Sequence, residues 1–246
     1  YEQCPRRYFF RRRHVAPLDR PTEEAKVPAV GNLVHRTLRI YHAIPVSVLT
    51  PDERRKRLFE AFDRILPLHG DEGIAGRERA ALILDRYLTS PLAAMDATHL
   101  EAEVNLRLEI GGPAPSGGPF LLRGFADRID ISSGDIHIID YKTHAYSSAV
   151  HNAYARQLAL YLAAARRGLF GESGLLTVAS ASLLYLTPHE TRLEQVDPDL
   201  PAFEAAAEAT VARIRAERFW SPGPAAPCAD CAWAAFCSPH RPAPGN

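Results

Sequence analysis

The chain has 246 residues, of which 24% are charged and 46% apolar, a composition that suits a globular protein able to bury a full core. Its 29 basic and 29 acidic residues cancel, which excludes a nucleic-acid partner held by overall charge and leaves only a local electropositive surface. The longest apolar run, Leu158 to Ala165, is far short of the ~20 residues a membrane-spanning helix needs. No secretory pattern opens the sequence, so a cytoplasmic chain without a membrane partner is expected. The sequence starts at Tyr1 rather than at a methionine, and its only methionine is Met95, as expected of a chain trimmed or excised from a longer polypeptide.

Taken in order, Tyr1–Arg13 reads as a helix in which Tyr8, Phe9 and Phe10 lie among arginines. Arg6, Arg7, Arg11, Arg12, Arg13 and His14 form a basic cluster there, either a phosphate-contact patch or a solvated arginine face. Residues 15–28 carry Pro17, Pro21 and Pro28 and read as a loop. Helical patterning resumes over Ala29–Tyr41, with Leu33, Leu38 and Ile40 as apolar positions, and continues in Pro51–Leu66 and Gly76–Leu88. Thr50, followed three positions on by Glu53, makes a capping signature.

From about Leu100 the period changes to two, with Ala102, Val104, Leu106, Leu108 and Ile110 alternating with polar residues. Gly111–Pro119 reads as a hairpin connection between this strand and the next, Phe120–Ile131, which a turn at Ser132–Gly134 joins to Asp135–Tyr141. Residues 151–167 return to helix, Leu175–Leu186 to strand and Pro198–Glu217 to helix, and the end from Ser221 is rich in proline and cysteine. Helices, three strands, helix, strand, helix and cysteine loop describe an α/β chain with a mixed central sheet flanked by helices.

The sharpest local feature is Ile138-Ile139-Asp140-Tyr141-Lys142-Thr143. In a strand, Asp140 and Lys142 share one face and Tyr141 takes the other. Ile136, Ile138 and Ile139 predict a buried central strand, at whose exit a charged pair is costly unless it has a task. A second carboxylate lies in Gly124-Phe125-Ala126-Asp127-Arg128-Ile129-Asp130, where antiparallel pairing brings Asp127 near Asp140 and leaves Asp130 on the opposite side in a supporting or salt-bridging role. Two carboxylates suit Mg²⁺ or Mn²⁺, which lowers the pKa of water, while Lys142 offsets charge developing at phosphorus. The chemistry indicated is phosphodiester hydrolysis.

GFADRID, then IIDYKT, then QLALYLAAA, preceded by GNLVHRTL, resembles the ordered motif set of RecB-like PD-(D/E)XK nucleases over nearly the whole chain. The resemblance implies a restriction-endonuclease-like fold in a single nuclease domain: a helical part over 1–98, a catalytic sheet and helix over 99–190, and a C-terminal helix and cysteine loop over 191–246. It implies Asp127, Asp140 and the Tyr141 carbonyl as metal ligands, His35 as a further ligand and Lys142 as the catalytic lysine. Gln157 and Tyr161, four apart on one helix face, would position the lysine or the DNA strand. Glu103 is a further acidic candidate, and Glu101 an almost equal one by parity.

Cys4 stands near the start, and Cys228, Cys231 and Cys237 form C-x2-C-x5-C near the end, so one site uses all four cysteines of the chain. In an intracellular chain this pattern favours metal over disulfides, and the spacing serves structural zinc and [4Fe–4S] equally. YEQCPRRYFF and the three late cysteines resemble the iron–sulfur staple of AddB-type helicase–nucleases and CRISPR-associated RecB-like nucleases, which implies [4Fe–4S], with Trp233 and Phe236 shielding it. No G-x-x-x-x-G-K-[ST] loop occurs, so the sequence carries no motor of its own. The expectation is a DNA exonuclease or end-processing enzyme acting on single strands in repair or recombination, as part of or partner to a helicase. The alternatives are a CRISPR-adaptation nuclease and a non-catalytic iron–sulfur DNA-binding module.

Overall fold

A computed structural model of the chain describes Cys4 and residues 26–110, 118–132, 135–168 and 178–216. The expected first helix, the basic cluster after Cys4, and Cys228, Cys231, Cys237, Trp233 and Phe236 lie outside the described residues. The chain divides into two compact units, one taking in Lys26–Arg107 and Leu121–Phe203, the other Tyr1–Ala25, Leu108–Phe120 and Glu204–Asn246.

Three helices come first: α1 Lys26–Tyr41, α2 Pro51–Ile65 and α3 Gly70–Tyr87. Helix α2 starts at the expected cap, where the Thr50 hydroxyl accepts from Glu53 N (3.3 Å) while Glu53 Oε2 accepts from Thr50 N (2.8 Å). Helix α1 begins at Lys26, ahead of the expected Ala29, with Pro28 in its first turn, where a missing N–H costs no helical bond. Helix α3 begins at Gly70 rather than Gly76, after a short 3₁₀ turn at Leu66–His69. Gly73 and Gly76 are buried inside it, and packing against its neighbours overrides their poor helix propensity.

The sheet has five strands in chain order: β1 His99–Ile110, β2 Gly118–Ser132, β3 Asp135–Lys142, β4 Val178–Leu186 and β5 Thr191–Val196. Strands β2 and β3 pair antiparallel, β3 and β4 parallel, and β4 and β5 antiparallel, which makes the sheet mixed. The parallel step is bridged by helix α4, Ser148–Arg166, as a parallel crossover requires. The fifth strand was not expected from the sequence, because Arg192 and Glu194 dilute its apolar signal. Thr187 N donating to Glu190 O (2.9 Å) closes the turn that folds it back on β4. Helix α5, Leu200–Arg215, ends the described chain, and within its unit Arg215 donates to the carbonyls of Gly118 (3.2 Å) and Pro119 (2.7 Å). Among the described residues no helix is long and apolar enough to cross a membrane.

The core shows which face each strand residue takes. Leu33, Leu38, Tyr41, Phe62, Ile83 and Tyr87 from α1–α3 pack with Ile139, Tyr141, Leu184 and Leu186 of the sheet. By strand alternation Asp140 and Lys142 take the opposite face, where α4 lies. Arg128 points into the helical side and is fully buried. It donates to the carbonyls of Leu92 (2.9 Å), Met95 (3.0 Å) and Asp96 (3.4 Å), and to both oxygens of Asp130 (2.8 and 3.0 Å). Burial works against its charge, but the Asp130 hydrogen bond and carboxylate hold its pKa above the ordinary value. The guanidinium thus supplies charge-assisted hydrogen bonds to the Leu92–Asp96 carbonyls and fixes this turn to β2.

Candidate active site

The ladder of β2 and β3 runs Ile131↔Ile136, Ile129↔Ile138, Arg128↔Ile139, and the next position in this register sets Asp127 opposite Asp140. Asp127 then closes the end of the pairing with its side chain, its Oδ2 accepting from Tyr141 N at 2.8 Å. Its Oδ1 lies 3.0 Å from His35 Nδ1, delivered by α1. The His35 ring also meets Tyr141 edge-on, with centroids 5.8 Å apart. Gly31 permits this approach of α1, since a Cβ there would lie 3.0 Å from Thr143 Oγ1 at the end of β3. Burial lowers the basicity of His35, but the hydrogen bond and charge of Asp127, with the charge of Asp140, outweigh it and raise its pKa.

Asp140 is 2% exposed, and Lys142 forms an ion pair with its Oδ2. That oxygen is buried and accepts no hydrogen bond of good geometry. Burial, then the charge of Asp127, raise the Asp140 pKa, while Lys142 opposes them. Gln157 on α4 ties the group together: its Nε2 donates to Asp140 Oδ1 (3.2 Å) and to the Tyr161 hydroxyl (2.7 Å), and its Oε1 accepts from Lys142 Nζ (3.4 Å). The Tyr161 hydroxyl in turn donates to Phe125 O (2.7 Å) on β2. Burial pushes its pKa up to about 12, so it stays a donor at neutral pH.

The structure therefore brings together His35, Asp127, Asp140, Tyr141, Lys142, Gln157 and Tyr161. Glu103 is exposed, and the acidic residue beside the group is Glu101, which has φ 49° and forms an ion pair with Arg39. Glu101, Arg39, Arg36, His35, Asn32, His69, Asp127 and Tyr141 line a cleft of about 310 Å³. Alternation made Glu101 and Glu103 equivalent, and of the two it is Glu101 that lines the cleft. The sequence reading also missed Tyr154, whose ring lies 4.0 Å from Lys142 Nζ. Its position three residues before Gln157, on the same face of α4, was the available signal.

Two carboxylates on neighbouring strands, a lysine on the same face and a mixed sheet covered by helices define a restriction-endonuclease-like nuclease fold. The family model of the PD-(D/E)XK nuclease superfamily matches residues 1–238, and the chain belongs to that superfamily. Among solved structures, the chain is similar to SSO0001, with 18% identity over 87% of this chain and 86% of that one (TM-score 0.43). It is also similar to a provisional exonuclease from Eubacterium rectale, with 14% identity over 81% and 70% (TM-score 0.46). Likenesses this distant say nothing of this chain's own activity. No curated protein matches the sequence.

Proposed function

We propose that the protein is a Mg²⁺- or Mn²⁺-dependent deoxyribonuclease that shortens single-stranded DNA from an end, acting in repair or recombination with a helicase as domain or partner. The observation that carries this reading is the convergence of Asp127, Asp140 and Lys142 from two adjacent strands, braced by His35 and Gln157 from two helices. The residues fit a hard divalent cation. They offer two carboxylates, hard oxygen donors of the kind such a cation takes: Asp127 lines the cleft, and Asp140 stands beside it with its Oδ2 held by the Lys142 ammonium. Among the described residues no three His, Cys, Asp or Glu side chains are placed to hold an ion as they stand, so His35 would have to give up its contact with Asp127 Oδ1 to join the two carboxylates.

Asp127, Asp140, the Tyr141 carbonyl and His35 would hold the ion. When bound, it supplies Lewis acidity toward phosphate and water at neutral pH. The protein's own part is electrostatic. Lys142, fixed by Asp140 and Gln157, points its ammonium where negative charge grows on the phosphoryl oxygens as a water oxygen bonds to phosphorus and the ester P–O bond breaks. Tyr161 keeps Gln157 oriented, and so keeps the lysine in place.

Cys4, Cys228, Cys231 and Cys237 would carry a [4Fe–4S] cluster. Their number and spacing serve zinc equally, and the choice of the cluster rests on the resemblance to iron–sulfur nucleases; Cys4, the one described, is buried. The test of the nuclease reading is cleavage of end-labelled and circular single strands of DNA with Mg²⁺, with Mn²⁺ and with excess chelator. Release of nucleotides from the linear strand alone, abolished by chelator, is expected. Full cleavage in chelator would overturn the metal-dependent mechanism, and cutting of the circle would make the enzyme an endonuclease.

A further inference from the structure

Beside the catalytic lysine the structure holds a row of rings and cations that the hydrolytic chemistry does not use. Parallel pairing sets Lys142 against Tyr185 of β4, and antiparallel pairing sets Tyr185 against Arg192 of β5, so the three stand abreast on one face of the sheet. The segment after β3 and the first turns of α4 fill in between them. Lys142 Nζ lies over the Tyr154 ring (4.0 Å), and Tyr154 neighbours His144 (centroids 5.6 Å apart). His144 neighbours Tyr185 (5.7 Å), Tyr185 neighbours Tyr146 (5.4 Å), and Arg192 lies over Tyr146 (3.9 Å). His151 joins from α4 against both Tyr146 (5.5 Å) and Tyr185 (6.2 Å).

Two features distinguish this row from a patch of core. Only Tyr185 is buried, at 2% exposure, while His144, Tyr146, His151 and Tyr154 are all partly open to solvent. Their polar ends are turned on one another, His144 Nε2 to the Tyr154 hydroxyl (3.1 Å) and His151 Nδ1 to the Tyr185 hydroxyl (3.2 Å). What the row offers outward is therefore ring surface, bounded by a cation at each end, Lys142 paired with Asp140 and Arg192 with Glu194. Rings interleaved with cations suit an unpaired polynucleotide: bases stack on the rings and phosphates meet the charges. A duplex keeps its bases stacked inside and cannot use such a surface.

We propose that His144, Tyr146 and Tyr154, floored by Tyr185 and ended by Arg192, form a stacking platform for unpaired bases of a DNA strand next to the bond being cut. The assignment rests on the proposed nuclease function for its occupant, and it makes the substrate class single-stranded DNA by geometry rather than by charge. Tyr154 serves both parts, since the ring that would meet a base also holds Lys142.

The test is binding in excess chelator, where nothing is cut. Wild-type protein is titrated with a twelve-residue thymidine strand, with an abasic strand of the same length and phosphate number, and with the matching duplex. The thymidine strand should bind best, by roughly tenfold for each base seated. His144→Ala with Tyr146→Ala should close the gap between thymidine and abasic strands, and His144→Phe with Tyr146→Phe, which keep rings, should restore it. Equal affinity of wild type for the thymidine and abasic strands, or tighter binding of the duplex, overturns the platform even if the alanine variant fails to fold. So does a gap that survives in a folded alanine variant. Absence of cleavage in Mg²⁺ alongside an intact base preference would instead sink the nuclease reading and leave the platform standing.

Discussion

Gly124 on β2 and Tyr161 on α4 fit together only because the glycine has no side chain: a Cβ at Gly124 would lie 2.6 Å from Tyr161 Cε1 and 3.0 Å from its hydroxyl. That hydroxyl spans from Phe125 O to Gln157 Nε2, and Gln157 reaches both Asp140 and Lys142. The glycine of the GFADRID segment thus acts on Asp140 and Lys142 through two side chains, Tyr161 and Gln157. Gly124→Ala should displace the Tyr161 ring, with a loss of about 1–3 kcal/mol in stability typical of overpacking, and cleavage should fall with it. The double variant Gly124→Ala, Tyr161→Ala should be no less stable than Tyr161→Ala alone, since the clash has no partner left. Additive losses in denaturant titrations would place the strain elsewhere.

Asp127, Asp140 and Lys142 differ from Asp130 in what they face. Replacing any of the first three by alanine should lower cleavage at least ~100-fold, by the measure of other transition-state contacts, and leave the fold in place. Asp130→Ala should do the reverse. It removes the carboxylate that neutralises Arg128, which is fully buried, so stability should drop by a few kcal/mol, the usual result of stranding a buried charge, while the remaining folded enzyme cuts DNA. Single-turnover rates and urea midpoints on the same four proteins separate the two patterns. Near-wild-type cleavage by Lys142→Ala would remove the lysine from the mechanism.

The contrast between these aspartates also shows what a sequence displays. Asp140 and Lys142 could be read because a buried strand alternates strictly and its exit leaves them on one face, and Asp127 followed from hairpin pairing. Arg128 could not, because its alternation marks it only as facing away from Asp127. That it is fully buried depends on carbonyls more than thirty residues away in the Leu92–Asp96 turn. The row from Tyr154 to Arg192 was hidden for a similar reason. It draws on β3, α4, β4 and a β5 whose charged residues masked it, and only the sheet order brings them abreast.

His42 gives the fold a defined acid sensitivity. Its ring is buried, its Nε2 accepts from Arg128 Nη1 (3.1 Å) and lies 2.6 Å from the Tyr87 hydroxyl, and a proton there would meet the guanidinium. Burial first, then Arg128, lower its pKa to about 3, against about 6.5 in an unfolded chain. Between those values the unfolded chain takes up a proton that the folded one refuses. The stability His42 contributes is therefore whole above about pH 6.5, and falls by up to about 1.4 kcal/mol per unit as pH drops toward 3. His42→Gln should flatten that slope. Urea midpoints from pH 7 to pH 4 for both proteins isolate the histidine from the carboxylates that titrate alongside it, and parallel curves would refute its role.

The four cysteines make the proposal with the longest reach along the chain, since Cys4 and Cys228 stand 224 positions apart. A site built on both closes a loop around the whole nuclease sheet. Closing a long loop restricts the unfolded chain most, although the size of the benefit depends on the model used. Replacing Cys4, Cys228, Cys231 or Cys237 singly by alanine should give four proteins that look alike, because each change removes one corner of the same site. The loss should show first as protease sensitivity at both ends, with cleavage failing afterwards. Anaerobically purified wild type should be brown and contain iron and acid-labile sulfide, whereas an iron centre short of one thiolate would be open to water and oxidation. Colourless protein with one zinc per chain would keep the shared site and replace the cluster. If Cys4→Ala alone left the metal content unchanged, Cys4 would be no ligand, and the loop argument would fail whichever metal the other three cysteines hold.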